Sequence, residues 1–158
     1  MTNFYKEHNH MLYPAQYGDD PLYPSENDFE VIHKDGNSGH GVITYRSFQP
    51  GEIVAKFNGV ITDKIQQHTL QIQPGVHILD LDFVGYLLHS CEPNVSLDMK
   101  ERTITAIKPI EANTFLYMDY AQTEDKLYSQ FRCSCGTSKC RGWIIGRKEI
   151  DSIFWNVR

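Results

Sequence analysis

From residue 29 onward, short apolar and β-branched stretches alternate with turn residues. FEVIH (29–33), GVITY (41–45), EIVAKF (52–57), TLQIQ (69–73), VHILDL (76–81) and RTITAI (102–107) are rich in Val, Ile, Thr and Phe, residues that suit a pleated, half-buried backbone. DGNSGHG, QPGE, NG and QPG separate them, with the turn chemistry of short connections. RTITAI alternates well enough for one buried and one solvated face. The pattern predicts a mainly β protein.

Helical periodicity is sparse. DFVGYLLHS (82–90) is expected to hold a short helix delivering His89 and Cys91. TEDKLYSQF (123–131) has Thr123 as a candidate N-cap, acids in its first turn, and Leu127 and Phe131 four apart. In RKEIDSIFWNV, Ile150, Ile153, Phe154 and Val157 share one helical face, which predicts a C-terminal helix packed on the core. Residues 1–27 are rich in Tyr, Pro, Asn and His without periodicity and read as an irregular arm. His8 and His10 there read as a solvated pair.

With 158 residues the chain is long enough for one domain with a real core. No apolar run approaches the ~20 residues of a membrane span. The start lacks a basic stretch followed by an apolar one, so an intracellular protein, cytoplasmic or nuclear, is expected. A net charge of -5 disfavours nonspecific nucleic-acid or membrane binding and suits a basic partner.

The four cysteines change the picture most. Cys133, Cys135 and Cys140 crowd together, and Cys91 lies upstream. In a reducing compartment such clustering favours a metal over disulfides. Gly136 and Gly142 let the backbone fold tightly around an ion. Three thiolates leave a tetrahedral zinc site one ligand short, and Cys91 is the remaining cysteine. A complete four-cysteine site has no open position and is structural.

Four blocks in order resemble the SET domain of lysine methyltransferases with its trailing post-SET motif. They are Gly39-His40-Gly41-Val42 with Pro50-Gly51-Glu52 and Phe57-Asn58-Gly59; His89-Ser90-Cys91-Glu92-Pro93-Asn94; Tyr117-Met118-Asp119-Tyr120; and Cys133-x-Cys135 through Cys140-Arg141-Gly142. The resemblance implies a β-fold of short sheets with a knot-like core and few short helices. It divides the chain into an arm (1–28), a SET domain (29–128), a zinc knuckle (129–146) and a terminal helix (147–158).

The same resemblance implies an S-adenosylmethionine-dependent lysine N-methyltransferase with one structural zinc on Cys91, Cys133, Cys135 and Cys140. Gly39, His40, Gly41, Leu88, His89 and Trp143 fall at cofactor positions, and Tyr120 at the catalytic one. Phe57, Met118 and Tyr117 fall at the substrate channel. The substrate would be a lysine-containing protein or peptide, such as a histone. A catalytically silent partner-binding module and a methyltransferase for a small-molecule amine remain as alternatives.

Four departures stand out. Leu88 replaces the family's usual Asn at the cofactor's amino-acid end, and Gly85 a frequent basic residue. Phe57 replaces a common Tyr, and Met118 a Phe or Tyr that often tunes the number of methyl groups. Loss of those hydroxyls predicts multiple methylation.

Overall fold

The computed structural model describes residues 10–36 and 38–150. The expected terminal helix therefore lies largely outside the described residues, as does His8, while Arg147 and Lys148 form a turn. In chain order the strands are β1 (Phe29–Asp35), β2 (Gly39–Thr44), β3 (Ile53–Lys56), β4 (Val60–Thr62), β5 (Thr69–Gln73) and β6 (Val76–Leu79). There follow β7 (Leu88–His89), β8 (Val95–Asp98), β9 (Thr103–Ala106), β10 (Thr114–Phe115) and β11 (Tyr117–Met118). Last come β12 (Phe131–Arg132) and β13 (Trp143–Ile144).

These strands make three small sheets, ordered β1-β2-β10, β3-β9-β8 and β4-β6-β5, and two short ladders, β11-β7 and β12-β13. The six strands read from the sequence all form, each within two residues of its expected ends. Phe48, Phe83, Ile78, Ile104, Leu116 and Val42 are at most 1% exposed at the centre, where each such side chain contributes about 1.5–3 kcal/mol.

The ladder β11-β7 is parallel, pairing Tyr117 with Leu88 and Met118 with His89. It brings together segments about thirty residues apart, and Asn94 closes the crossing. The Asn94 amide donates to the Phe115 carbonyl at 3.0 Å and accepts from the Tyr117 N–H at 2.8 Å. One side chain thus occupies backbone groups that no neighbouring strand reaches.

Two helix expectations give way to tertiary hydrogen bonds. Within 82–90 there is one 3-10 turn, Val84–Tyr86, and then the chain extends into β7. A side chain at Gly85 would meet the Asp80 carbonyl at 2.0 Å, so no residue larger than glycine fits this passage. Residues 123–130 form a turn and bends rather than a helix, and Phe131 begins β12. The Glu124 and Asp125 carbonyls, which a helix would bond internally, accept from the N–H groups of Arg147 and Lys148. Thr123 ends the preceding 3-10 turn, Tyr120–Gln122, and Asp119 caps its start. All three helical turns among the described residues are of the 3-10 type.

Residues 10–28 are irregular apart from a 3-10 turn at Ala15–Tyr17 and a single antiparallel bridge between Met11 and Ser25, and they pack on the domain. Tyr13 is buried, and its hydroxyl donates to Asp80 at 2.5 Å. Asp80 also accepts from the N–H groups of Asp82, Phe83 and Val84. Burial pushes the Asp80 carboxyl up, while these hydrogen bonds oppose the shift. Asp80→Ala strands four donors at once and is expected to cost about 3–5 kcal/mol, read as a lower midpoint in urea unfolding at unchanged slope.

Candidate functional site

Two clefts share a wall at Ser38, Leu88, Tyr120 and Phe131. The first, about 480 Å³, is floored by Leu87, Met118, Thr123 and Glu124 and rimmed by Gly39, His40, His68 and Tyr86. The second, about 680 Å³, runs past Lys34, His89 and Ser90 to Cys133, Ser134, Cys135 and Thr137. Both volumes suit small-molecule or side-chain ligands.

At the shared wall, the β7–β11 ladder sets His89 beside Tyr120. The Tyr120 N–H donates to His89 Nδ1 at 3.1 Å, so His89 is the tautomer with its proton on Nε2. That nitrogen lies 3.5 Å from the Cys91 sulfur. Burial drives the imidazole pKa down to about 4, with Asp119 opposing and Arg141 adding to the shift, so His89 is neutral at pH 7. The Tyr120 hydroxyl donates to the Leu87 carbonyl at 2.6 Å. Burial, then the Glu124 charge, push the phenol up. Tyr120 therefore keeps its proton, and its oxygen lone pairs serve only as acceptors. Phe131 packs edge-on against both rings, 5.7 Å from His89 and 5.8 Å from Tyr120.

The sulfur atoms of Cys91, Cys133, Cys135 and Cys140 all lie within 4.8 Å of one another. Cys91 and Cys133 are 3.9 Å apart. A tetrahedron with Zn–S bonds of about 2.3 Å has sulfurs ~3.8 Å apart, so the cluster fits zinc binding. The Arg141 N–H donates to Cys91 and the Cys135 N–H to Cys133, both at 3.3 Å, as thiolate ligands require. Burial pushes the Cys133 thiol up, whereas at Cys135 hydrogen bonds from Thr137 outweigh burial and bring it down to about 5.

Arg141 ties this knuckle to the rest of the site. Its guanidinium holds Asp119 through two bonds, at 2.8 and 2.7 Å. Burial opposes ionisation of Asp119, but Arg141 and the Ala121 N–H hold it below the usual carboxylate range. Asp119 thus links the knuckle to the Tyr120 turn.

No family model matches the chain. Methyltransferase flvH of Aspergillus flavus is 28% identical over 105 residues, covering 65% of this chain and 59% of that protein. The histone-lysine N-methyltransferase Set2 of Drosophila melanogaster is 24% identical over 146 residues, 76% of this chain but 6% of that protein. The chain thus spans less than two thirds of either relative's length. Among solved structures, KRYPTONITE in complex with mCHG DNA and SAH superposes with a TM-score of 0.60 at 23% identity, over 73% of this chain and 28% of that one. A second KRYPTONITE complex, with mCHH DNA, an H3(1-15) peptide and SAH, gives 0.57 at 22% identity, over 73% and 29%. The fold is that of a SET domain.

Within this SET fold, the residues singled out from the sequence separate into groups. Tyr120, Leu88 and His89 meet at the shared wall, with Gly39, His40 and Met118 in the first cleft and Tyr117 in the second. Gly41 lines neither cleft. A Cβ there would meet Leu88 Cδ1 at 2.6 Å, so this glycine makes room for Leu88. Phe57 is 1% exposed and packs in the core instead of a channel. The apolar ring has no hydroxyl that would need solvent or a partner, so burial is its favourable state. Trp143 lies in β13 with its indole N–H on Gln130 at 3.1 Å, and it lines neither cleft.

Phe131, and not Trp143, lines both clefts. In the sequence it looked like the apolar face of a helix, and its position just before Cys133 was the available signal. Lys34 and Glu124 also reach the clefts, and no motif marks either. The Lys34 ammonium lies 5.4 Å from the Tyr117 ring centre.

Proposed function

We propose that this protein is an S-adenosylmethionine-dependent protein-lysine N-methyltransferase with one structural zinc held by Cys91, Cys133, Cys135 and Cys140. The observation that carries this reading is the meeting of two clefts at Tyr120. One ligand can enter from each side and be aligned there. Both named relatives are methyltransferases, and SAH accompanies both KRYPTONITE structures. The donor would occupy the second cleft against His89, Ser90 and the knuckle, and the amine would enter by the first. This leaves Gly39 and His40, expected at the cofactor, on the amine side, and Tyr117, expected in the substrate channel, on the donor side. Histone is the leading candidate substrate, supported by the H3(1-15) peptide of the KRYPTONITE complex and by the name of Set2.

S-adenosylmethionine, when bound, supplies a methyl group on a positively charged sulfur. The chain's task is alignment and exclusion of water. A lysine at pH 7 lies ~3.4 pKa units from neutrality, a cost of roughly 4.6 kcal/mol. Desolvation in the first cleft and repulsion by the neighbouring sulfonium both lower that cost. A neutral amine aligned there would take that methyl group, leaving a methylammonium and a thioether. With its proton committed to Leu87, the Tyr120 oxygen presents lone pairs to the polarised methyl group and the amine.

Leu88 favours a second reading, a silent module that binds a partner without transfer, because it offers an apolar surface in place of an amide. Calorimetry with S-adenosylmethionine, followed by transfer of labelled methyl onto mixed histones and cell lysate, separates the two. Binding together with lysine methylation is expected. Binding without transfer to any pool would leave the silent module standing.

A further inference from the structure

Every polar group on the floor of the first cleft near Tyr120 is an acceptor or has no partner. The Tyr120 proton is spent on the Leu87 carbonyl. Thr123 is 4% exposed, its hydroxyl is buried without a hydrogen-bond partner, and it lines the cleft. Glu124, 7% exposed, lines the same cleft. One of its oxygens accepts the Gln71 N–H at 2.8 Å, which fixes the carboxylate and leaves the other oxygen. The nearby Arg147 is engaged by Asp125 at 3.0 Å and by the carbonyls of Gln122 and Thr123. Among the described residues no ion pair reaches Glu124. Burial pushes the Glu124 carboxyl up, and the Gln71 N–H, the adjacent Thr123 hydroxyl and the more distant Arg147 charge only oppose that shift. A buried carboxylate with no cation in direct contact and a buried hydroxyl without a close partner are both costly arrangements. A ligand carrying positive charge and N–H donors removes both costs.

We infer that Glu124 and Thr123 form a recognition site for a cationic primary amine, with Glu124 as its counter-ion and Thr123 as a hydrogen-bond acceptor. This rests on the reading that the first cleft receives the substrate amine, and it assigns that cleft's selectivity to two residues. Glu124 selects the ammonium on entry, and desolvation and the sulfonium must then overcome the extra cost of deprotonation that this carboxylate adds. The alternative role for Glu124 is to hold the β5 backbone through Gln71 alone. Glu124→Gln keeps an acceptor for that N–H and removes only the charge.

The test uses n-butylamine and n-butanol, which match in length and differ in charge, titrated into the full-length protein at pH 7 and followed by NMR. Wild type is expected to bind n-butylammonium at least ten-fold more tightly than n-butanol. Glu124→Gln should bring the two within about two-fold (a ten-fold preference equals ~1.4 kcal/mol). Thr123→Val should weaken n-butylammonium several-fold while leaving n-butanol unchanged. A wild type without preference for the cation overturns the inference, and so does a folded Glu124→Gln that retains it. Because no methyl transfer is needed, this readout is independent of the methyltransferase reading. A protein that selects n-butylammonium but ignores S-adenosylmethionine would keep the amine site and lose the enzyme.

Discussion

Stripping zinc with a chelator, or replacing Cys135 by Ser, is expected to weaken S-adenosylmethionine binding by more than 100-fold and to abolish transfer. Cys133, Ser134, Cys135 and Thr137 form the far wall of the second cleft, and Phe131 at its start belongs to both clefts. Beyond Phe131 and Ile144, which pack inward, few contacts hold residues 132–142. The ladder β12-β13 pairs two residues with two, and the main side-chain tether is the Arg141–Asp119 pair. A zinc site contributes on the order of 10–16 kcal/mol to an otherwise unfolded knuckle. Without it, four closely spaced, partly exposed thiols have no ion to hold them together. The check is metal content by elemental mass spectrometry, with one zinc per chain expected, alongside calorimetry before and after chelation. The 29–118 sheets should keep their far-ultraviolet signal. Undiminished donor binding by metal-free protein would remove zinc from the site's construction.

Tyr120→Phe is expected to lower kcat by about 10²–10³-fold, the scale for losing one preorganised polar group at a reacting centre. Donor affinity should stay within about three-fold, because the ring that packs on His89 and Phe131 remains and substrate-state binding is largely preserved. The cost in stability is the unpaired Leu87 carbonyl, about 1–2 kcal/mol. The lost rate should not return at high pH. The raised phenol pKa means Tyr120 does not act by ionising, so the variant's pH profile is expected to parallel that of wild type. Turnover by Tyr120→Phe at the wild-type rate would show that the hydroxyl has no part in the chemistry.

Much of this architecture could be read from the chain. Six strands were visible because β-branched runs flanked by Gly, Pro and Asn leave few other ways to bury them. The cysteine knuckle was visible because three thiols in so short a Gly-containing loop have few other uses. Local pattern failed where distant groups competed for the same backbone. Residues 123–131 have helical spacing, yet the N–H groups of Arg147 and Lys148 take the Glu124 and Asp125 carbonyls that a helix needs. Phe57 and Trp143 carried motif-based roles but line neither cleft, while Phe131 does. An aromatic side chain settles where packing is densest, which its own segment does not specify.

By itself the sequence determined a mainly β chain, its principal strands and a set of sulfurs suited to one ion. Those features depend on the period, branching and spacing of nearby residues. Only the tertiary structure decided that β7 and β11 run parallel through one crossing, that Leu88 fills the space beside Gly41, and that Glu124 and Thr123 turn into the first cleft. Each of these depends on contacts between segments far apart in the chain. Such contacts are chosen by the free energy of the whole fold rather than by any local preference.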